Sequence, residues 1–213
     1  MLNLTLAFIT ALLLGMRHAT DPDHIVAVST IVSREGSLTK AGGIGVLWGV
    51  GHTLTIFVVG AGIIVFKAAF TPTVGLSLEM SVAVMLVVLG ALNVFNVHSH
   101  PRATSTIRPF VVGVVHGLAG SAAATLLILP LIEDVRWALV YLAVFGVGTI
   151  AGMAVITVAI AAPALLAARR IASVERSIRF VSGAVSLAFG LYLCSKIGFV
   201  DGLFLGRPEW VPR

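Results

Sequence analysis

The chain has 213 residues, 58% of them hydrophobic and 11% charged, with a mean hydropathy of +1.07. A soluble domain carries about a quarter charged residues, so 14 Lys+Arg and 9 Asp+Glu cannot cover a globular surface, and a water-soluble enzyme is excluded. The formal net charge of +5 would suggest nucleic acid in a soluble domain. Here the basic residues lie mostly between apolar runs, where they set topology and meet lipid headgroups, so the expected partner is the bilayer and no nucleic acid. The single cysteine, Cys194, excludes an internal disulfide or dithiol relay.

Six apolar stretches follow one another, at approximately 2–20, 41–66, 75–97, 107–130, 137–162 and 178–199. Each approaches or exceeds the roughly 20 residues that a helical span needs. The sequence therefore predicts an all-α polytopic membrane protein with about six transmembrane helices, in a single domain over residues 1–213. The first stretch has no Lys or Arg before it and no small-residue cleavage site, so it reads as a retained span. It runs directly into TDPDHIVAVSTIVSR (20–34). One continuous helix over 2–34 would be about 50 Å long against a hydrocarbon core of about 30 Å. Pro22 also pushes Asp21 out of the α region. The first helix is expected to break near Pro22, leaving 24–34 as a half-helix or re-entrant segment.

The two halves resemble each other. LGMRHATDPDHIVAV (14–28) aligns with VGVVHGLAGSAAATL (112–126) at an offset of 98, placing Gly15 on Gly113 and His18 on His116. LWGVGHT (47–53) aligns with VFGVGTI (144–150) at 97, and LGALNVF (89–95) with FGLYLCS (189–195) at 100. Each half, about 1–97 and about 107–199, holds three spans. An odd number forces the halves into opposite orientations, the inverted-repeat plan of secondary transporters, in which broken helices place a site near the membrane midplane. Basic residues in alternate connections number eight on one side and five on the other, which directs the termini away from the cytoplasm.

The polar residues within these spans carry the chemistry. Arg17-His18-Ala19-Thr20-Asp21-Pro22-Asp23-His24 sets two histidines and two acids beside a helix break, and ionisable groups at membrane depth mark ion paths. On a helix His18 and Asp21 share a face, as do Asp21 and His24. Imidazole nitrogens with carboxylate oxygens suit a borderline divalent ion such as nickel, cobalt or zinc, whereas calcium and magnesium favour oxygen alone. Arg17 reads as a counter-charge. His52, in GVGHTLT, and His116, in VVHGLAGS, lie inside apolar spans and are expected to join the same ion path. The hydroxyls of Thr53, Ser121 and Thr125 are expected to bond their own helix backbones. His98 and His100 form an HxH read as a hydrophilic turn, and Glu79 suits the start of its helix.

LGMRHATDPDHIVAV resembles the RHAxDADHI signature of the nickel–cobalt permease family, and GVGHT resembles that family's second, GH[ST]-containing motif. DPDH for DADH, together with HGLAGSAA, is similar to the short urease-accessory-type branch. The resemblance is strong over 14–60 and looser over 108–160. It implies metal ligands at His18, Asp21, Asp23 and His24, with His52 as the second-motif histidine. AGSAA and GTIAGM stand where larger members carry DTATE-like and GMxxxD-like motifs. The expectation is a multi-pass inner (plasma) membrane permease that moves Ni²⁺ or Co²⁺ as substrate, with no cofactor and no enzymatic activity, supplying a nickel enzyme such as urease. Export of the same metals is the near alternative. An intramembrane serine protease using Ser121 with His52 or His116 is the alternative from another class. HExxH is absent, which argues against a metalloprotease.

Overall fold

The computed structural model describes residues 4–33, 35–66, 71–95, 107–128, 134–170 and 172–210, leaving aside the side chains of 4, 120–128, 168–170 and 172–175. Helices α1 (Leu4–His18), α2 (Pro22–Val32), α3 (Leu38–Phe66), α4 (Pro72–Val94), α5 (Ile107–Ile128), α6 (Val135–Arg170) and α7 (Ala172–Ser195) follow in order, and a π-helical turn, Lys196–Val200, extends α7. No strand occurs among the described residues. Four segments there are long and apolar enough to cross a bilayer: Leu38–Phe66, Pro72–Val94, Val135–Ala167 and Arg176–Val200. The α6 helix runs beyond the apolar stretch that marked it, through Pro163 to Arg170. A proline is tolerated in a membrane helix because neighbouring groups satisfy the freed carbonyl.

The break expected near Pro22 lies between α1 and α2. Asp21 is extended, with φ −61° and ψ 144°, and Pro22 opens α2, where its missing N–H costs nothing. The turn is closed by backbone bonds from the Thr20 amide to the Arg17 carbonyl (2.8 Å) and from the Asp21 amide to the His18 carbonyl (3.1 Å). At 15 residues, α1 reaches only about 22 Å. The far end of α2 is tied down by Asn93 of α4, whose Nδ2 donates to the Thr30 carbonyl (2.9 Å) and to Ser33 Oγ (3.2 Å). The first of these bonds occupies a carbonyl that the helix C-terminus leaves open.

Packing relies on glycine. The outward faces carry Leu54, Val58, Val84, Val88, Val147, Val155, Val181 and Val185, all exposed as lipid-facing side chains would be. Between helices, small residues let backbones meet. α3 packs against α5 and α6, α1 against α6, and α4 against α7. A Cβ on Gly15 would strike the Phe145 carbonyl, and one on Gly113 the Trp48 carbonyl. Likewise Gly51 faces the Phe110 carbonyl and Gly148 the Leu12 carbonyl. Gly90 sits against the Leu187 amide, and Gly190 against the Val87 amide.

The C-terminal segment folds back on α4. Gly202, at φ +79°, turns the chain, and the Trp210 ring lies over Gly75. Trp210 Nε1 donates to Glu79 Oε1 at 2.8 Å, so Glu79 anchors this strap in addition to suiting its helix end. The spacing of 131 residues hid that role from the sequence.

Gly113→Ala is expected to destabilise the protein by about 1–3 kcal/mol, the usual cost of overpacking. Gly62→Ala, with nothing within 4 Å of the new methyl, is expected to be harmless. Melting temperatures of the two variants in one detergent check the difference.

Candidate metal-binding site

The helix break gathers the polar residues. His18 ends α1, and its Nδ1 meets Asp21 Oδ2 at 2.8 Å across the turn. Asp21 is 43% exposed, and Arg17, read as its counter-charge, points outward. The other nitrogen of His18, Nε2, lies 3.1 Å from Nε2 of His52, which is fully buried in the middle of α3. Two nitrogens bound to one ion at about 2.1 Å and a right angle to each other would be about 3 Å apart. The spacing therefore suits either a shared proton or a shared ion.

Asp23 and His24 sit in the first turn of α2, where a carboxylate complements the helix dipole and spare backbone N–H groups seek acceptors. Asp23 Oδ1 accepts from the His24 amide (3.0 Å) and faces His24 Nδ1 (3.1 Å). Its second oxygen, Oδ2, faces Nε2 of His116 on α5 at 3.0 Å. Asp23 thus bridges one histidine from each half of the chain. Gly113 and Gly117 flank His116 in sequence and press α5 against the Trp48 and His52 carbonyls of α3, which brings the imidazole this close.

The rings crowd around His24. Its centroid lies 4.4 Å from that of His116, 4.7 Å from His18 and 5.0 Å from His52. His24 Nε2, His52 Nδ1 and His116 Nδ1 are buried with no hydrogen-bond partner among the described residues. A carboxylate on one imidazole nitrogen fixes the tautomer and leaves the other lone pair available to a metal. Asp21 Oδ2 lies against one nitrogen of His18 in this manner, and the two oxygens of Asp23 against one nitrogen each of His24 and His116. Among the described residues two sets of three can hold an ion, His18–His24–His52 and Asp23–His24–His116, with the donor atoms of each set within 4.8 Å of one another. Imidazole-rich sets of this kind suit first-row divalent metals and not magnesium or calcium.

Of the six residues singled out in the sequence, five fall into these sets and Asp21 stands behind His18. His98 and His100 lie outside the described residues, as do the side chains of Ser121 and Thr125. Thr53 departs from expectation: its hydroxyl donates across the helix interface to the Gly146 carbonyl (3.1 Å) and not to its own helix. The sequence reading passed over Trp48. Its buried ring lies 5.5 Å from His24 and 5.7 Å from His116, and its Nε1 has no partner among the described residues. The signal was present, since Trp48 precedes His52 by four residues and shares its helix face.

The chain is 35% identical, over 219 aligned residues, to the urease accessory protein UreH of Bacillus sp. (strain TB-90), with 94% of each chain covered. The chain belongs to the UreH family of urease accessory proteins. This is the short, urease-accessory branch of the nickel–cobalt permease family that residues 14–28 resemble. Membership in the UreH family also sets aside the protease alternative: the chain is not an enzyme. No family model matches the chain, and no solved structure matches it.

Asp23→Ala would strip His24 and His116 of their acceptor in a buried setting, at about 1–3 kcal/mol for each orphaned group. Asp21→Ala, at the exposed edge, should cost about 1 kcal/mol or less. Thermal unfolding of the metal-free variants is expected to rank Asp23→Ala well below Asp21→Ala.

Proposed function

We propose that this protein is a permease for Ni²⁺ or Co²⁺ in the inner (plasma) membrane, taking up metal for a nickel enzyme such as urease. The observation that carries the reading is the convergence of His18, His24 and His52, three imidazoles from three helices, at the break between α1 and α2. Asp21 and Asp23 supply negative charge to offset the lost hydration of a divalent ion, and His116 brings in the second half. The likeness to a urease accessory protein agrees with delivery of nickel. Uptake of a divalent cation gains about 4.6 kcal/mol per 100 mV of membrane potential, so no ATP hydrolysis is required.

In this reading the chain is one multi-pass domain of six spans in two inverted repeats, about 1–97 and 107–199. Contacts exchanged between the halves support it. Gly15 meets Phe145 while its counterpart Gly113 meets Trp48, the counterpart of Phe145. Gly51 and Gly148 form a second such exchange, with Phe110 and Leu12, and Gly90 and Gly190 a third, with Leu187 and Val87. A two-fold axis in the membrane plane generates such reciprocal pairs.

The test is metal flux into proteoliposomes, with Ni²⁺, Co²⁺ and Zn²⁺ compared and rates normalised to protein. His18→Ala and His24→Ala are expected to abolish uptake. Asp21→Asn is expected to weaken affinity by about 10–100-fold, as loss of a group that orients a ligand does. His98→Ala and His100→Ala should transport normally. Wild-type flux in both His18→Ala and His24→Ala would return the segment to an ordinary charged turn.

A further inference from the structure

The two three-residue sets meet only at His24. Neither contains both His52 and His116, whose ring centres are 6.2 Å apart, the widest spacing among the paired histidine rings. His52 belongs to the first half of the chain and His116 to the second. Each set has one partly exposed member, His18 (17%) in the first and Asp23 (30%) in the second, whereas His24 between them is 2% exposed. The sets also differ in chemistry: the first offers three imidazoles, the second two imidazoles and a carboxylate.

We infer that the protein holds its divalent ion in two alternative, overlapping positions that share His24, and that passage between them is the transfer step through the centre of the protein. This rests on the metal reading above and adds a route to it. An ion leaving a fully formed site in hydrocarbon would have to shed all its ligands at once, at a cost no nearby water offsets. With His24 common to both positions, the ion stays beside that imidazole while His18 and His52 are exchanged for Asp23 and His116. The positions exclude each other, because both need the same imidazole, so one ion binds per chain. The carboxylate of the second position offsets one of the two positive charges, which favours the ion's arrival there.

The experiment measures Co²⁺ binding to the detergent-purified full chain, by titration and by visible absorption, together with Co²⁺ uptake into proteoliposomes. His52→Ala and His116→Ala each remove a private ligand of one position. Because mutually exclusive positions add their binding constants, at most one of the two variants is expected to weaken binding by more than about twofold, and each retains one ion per chain, with absorption spectra that differ from each other. His24→Ala removes the shared ligand and is expected to weaken binding by at least a hundredfold, and the double variant His52→Ala/His116→Ala should match it. Uptake is expected to fall at least tenfold in both single variants, since the route needs both positions. If His116→Ala fails to accumulate, His116→Gln, which keeps a donor towards Asp23, reads the same quantities.

One composite site would show as loss of binding well above about twofold in both His52→Ala and His116→Ala. That result overturns the two positions and leaves the permease reading standing. Wild-type uptake in His116→Ala overturns them as well. Unchanged binding in His18→Ala, His24→Ala and His52→Ala alike would remove the metal reading itself, and the two positions with it.

Discussion

In hydrocarbon, helices gain nothing from hiding apolar side chains from one another, because the lipid is as apolar as they are. What holds them is close approach, and in this protein close approach means backbone against backbone. Where Gly113 and Gly117 lie on α3, any larger residue would push α5 outward. Gly45 and Gly49 play the same part where α3 meets α6, against Met153 and Ile150. The polar centre depends on these contacts, since an imidazole reaches only a few ångströms from its helix. Were α5 displaced by the width of a methyl group, the 3.0 Å contact between His116 and Asp23 would be lost.

The same tight frame makes the broken helix tolerable. A chain interruption between packed helices frees carbonyls and amides that need partners. The turn at 19–21 satisfies several of them internally, Asp23 takes the His24 amide, and Asn93 closes the far end of α2. The break thereby becomes a place where side chains from α1, α2, α3 and α5 can face one another. Asp21 lies against His18, and Asp23 against His24 and His116, while one nitrogen each of His24, His52 and His116 is buried with no hydrogen-bond partner among the described residues.

Much of this was legible in the sequence. The apolar stretches located α1 and α3–α7, the length of the first stretch with Pro22 located the break, and the RHATDPDH segment located the centre. The partner of each acid was less legible, for a definite reason. Counting three residues along a continuous helix pairs Asp21 with both His18 and His24. The chain is extended at Asp21, so the count restarts at Pro22, and His24 pairs with Asp23 instead. Long-range partners had no local signature at all. The bond from Trp210 to Glu79, the reach of Thr53 to Gly146, and the place of Trp48 between two histidines all arise from packing between segments distant in the chain. The reciprocal glycine contacts, by contrast, follow the offsets that three short alignments had already suggested.

Trp48 gives the protein a built-in optical reporter. Of the three tryptophans, Trp137 lies tilted against Phe8 and Trp210 is tied to Glu79, and neither has a ring contact with the histidine cluster among the described residues. Trp48 is sealed from solvent with its indole 5.5 Å from His24. An open-shell ion such as Ni²⁺ or Co²⁺ arriving at that imidazole quenches an excited indole at such short range, whereas closed-shell Zn²⁺ has no comparable electronic route. The intrinsic emission of the unlabelled chain therefore distinguishes an ion at the centre of the bundle from one held at its surface.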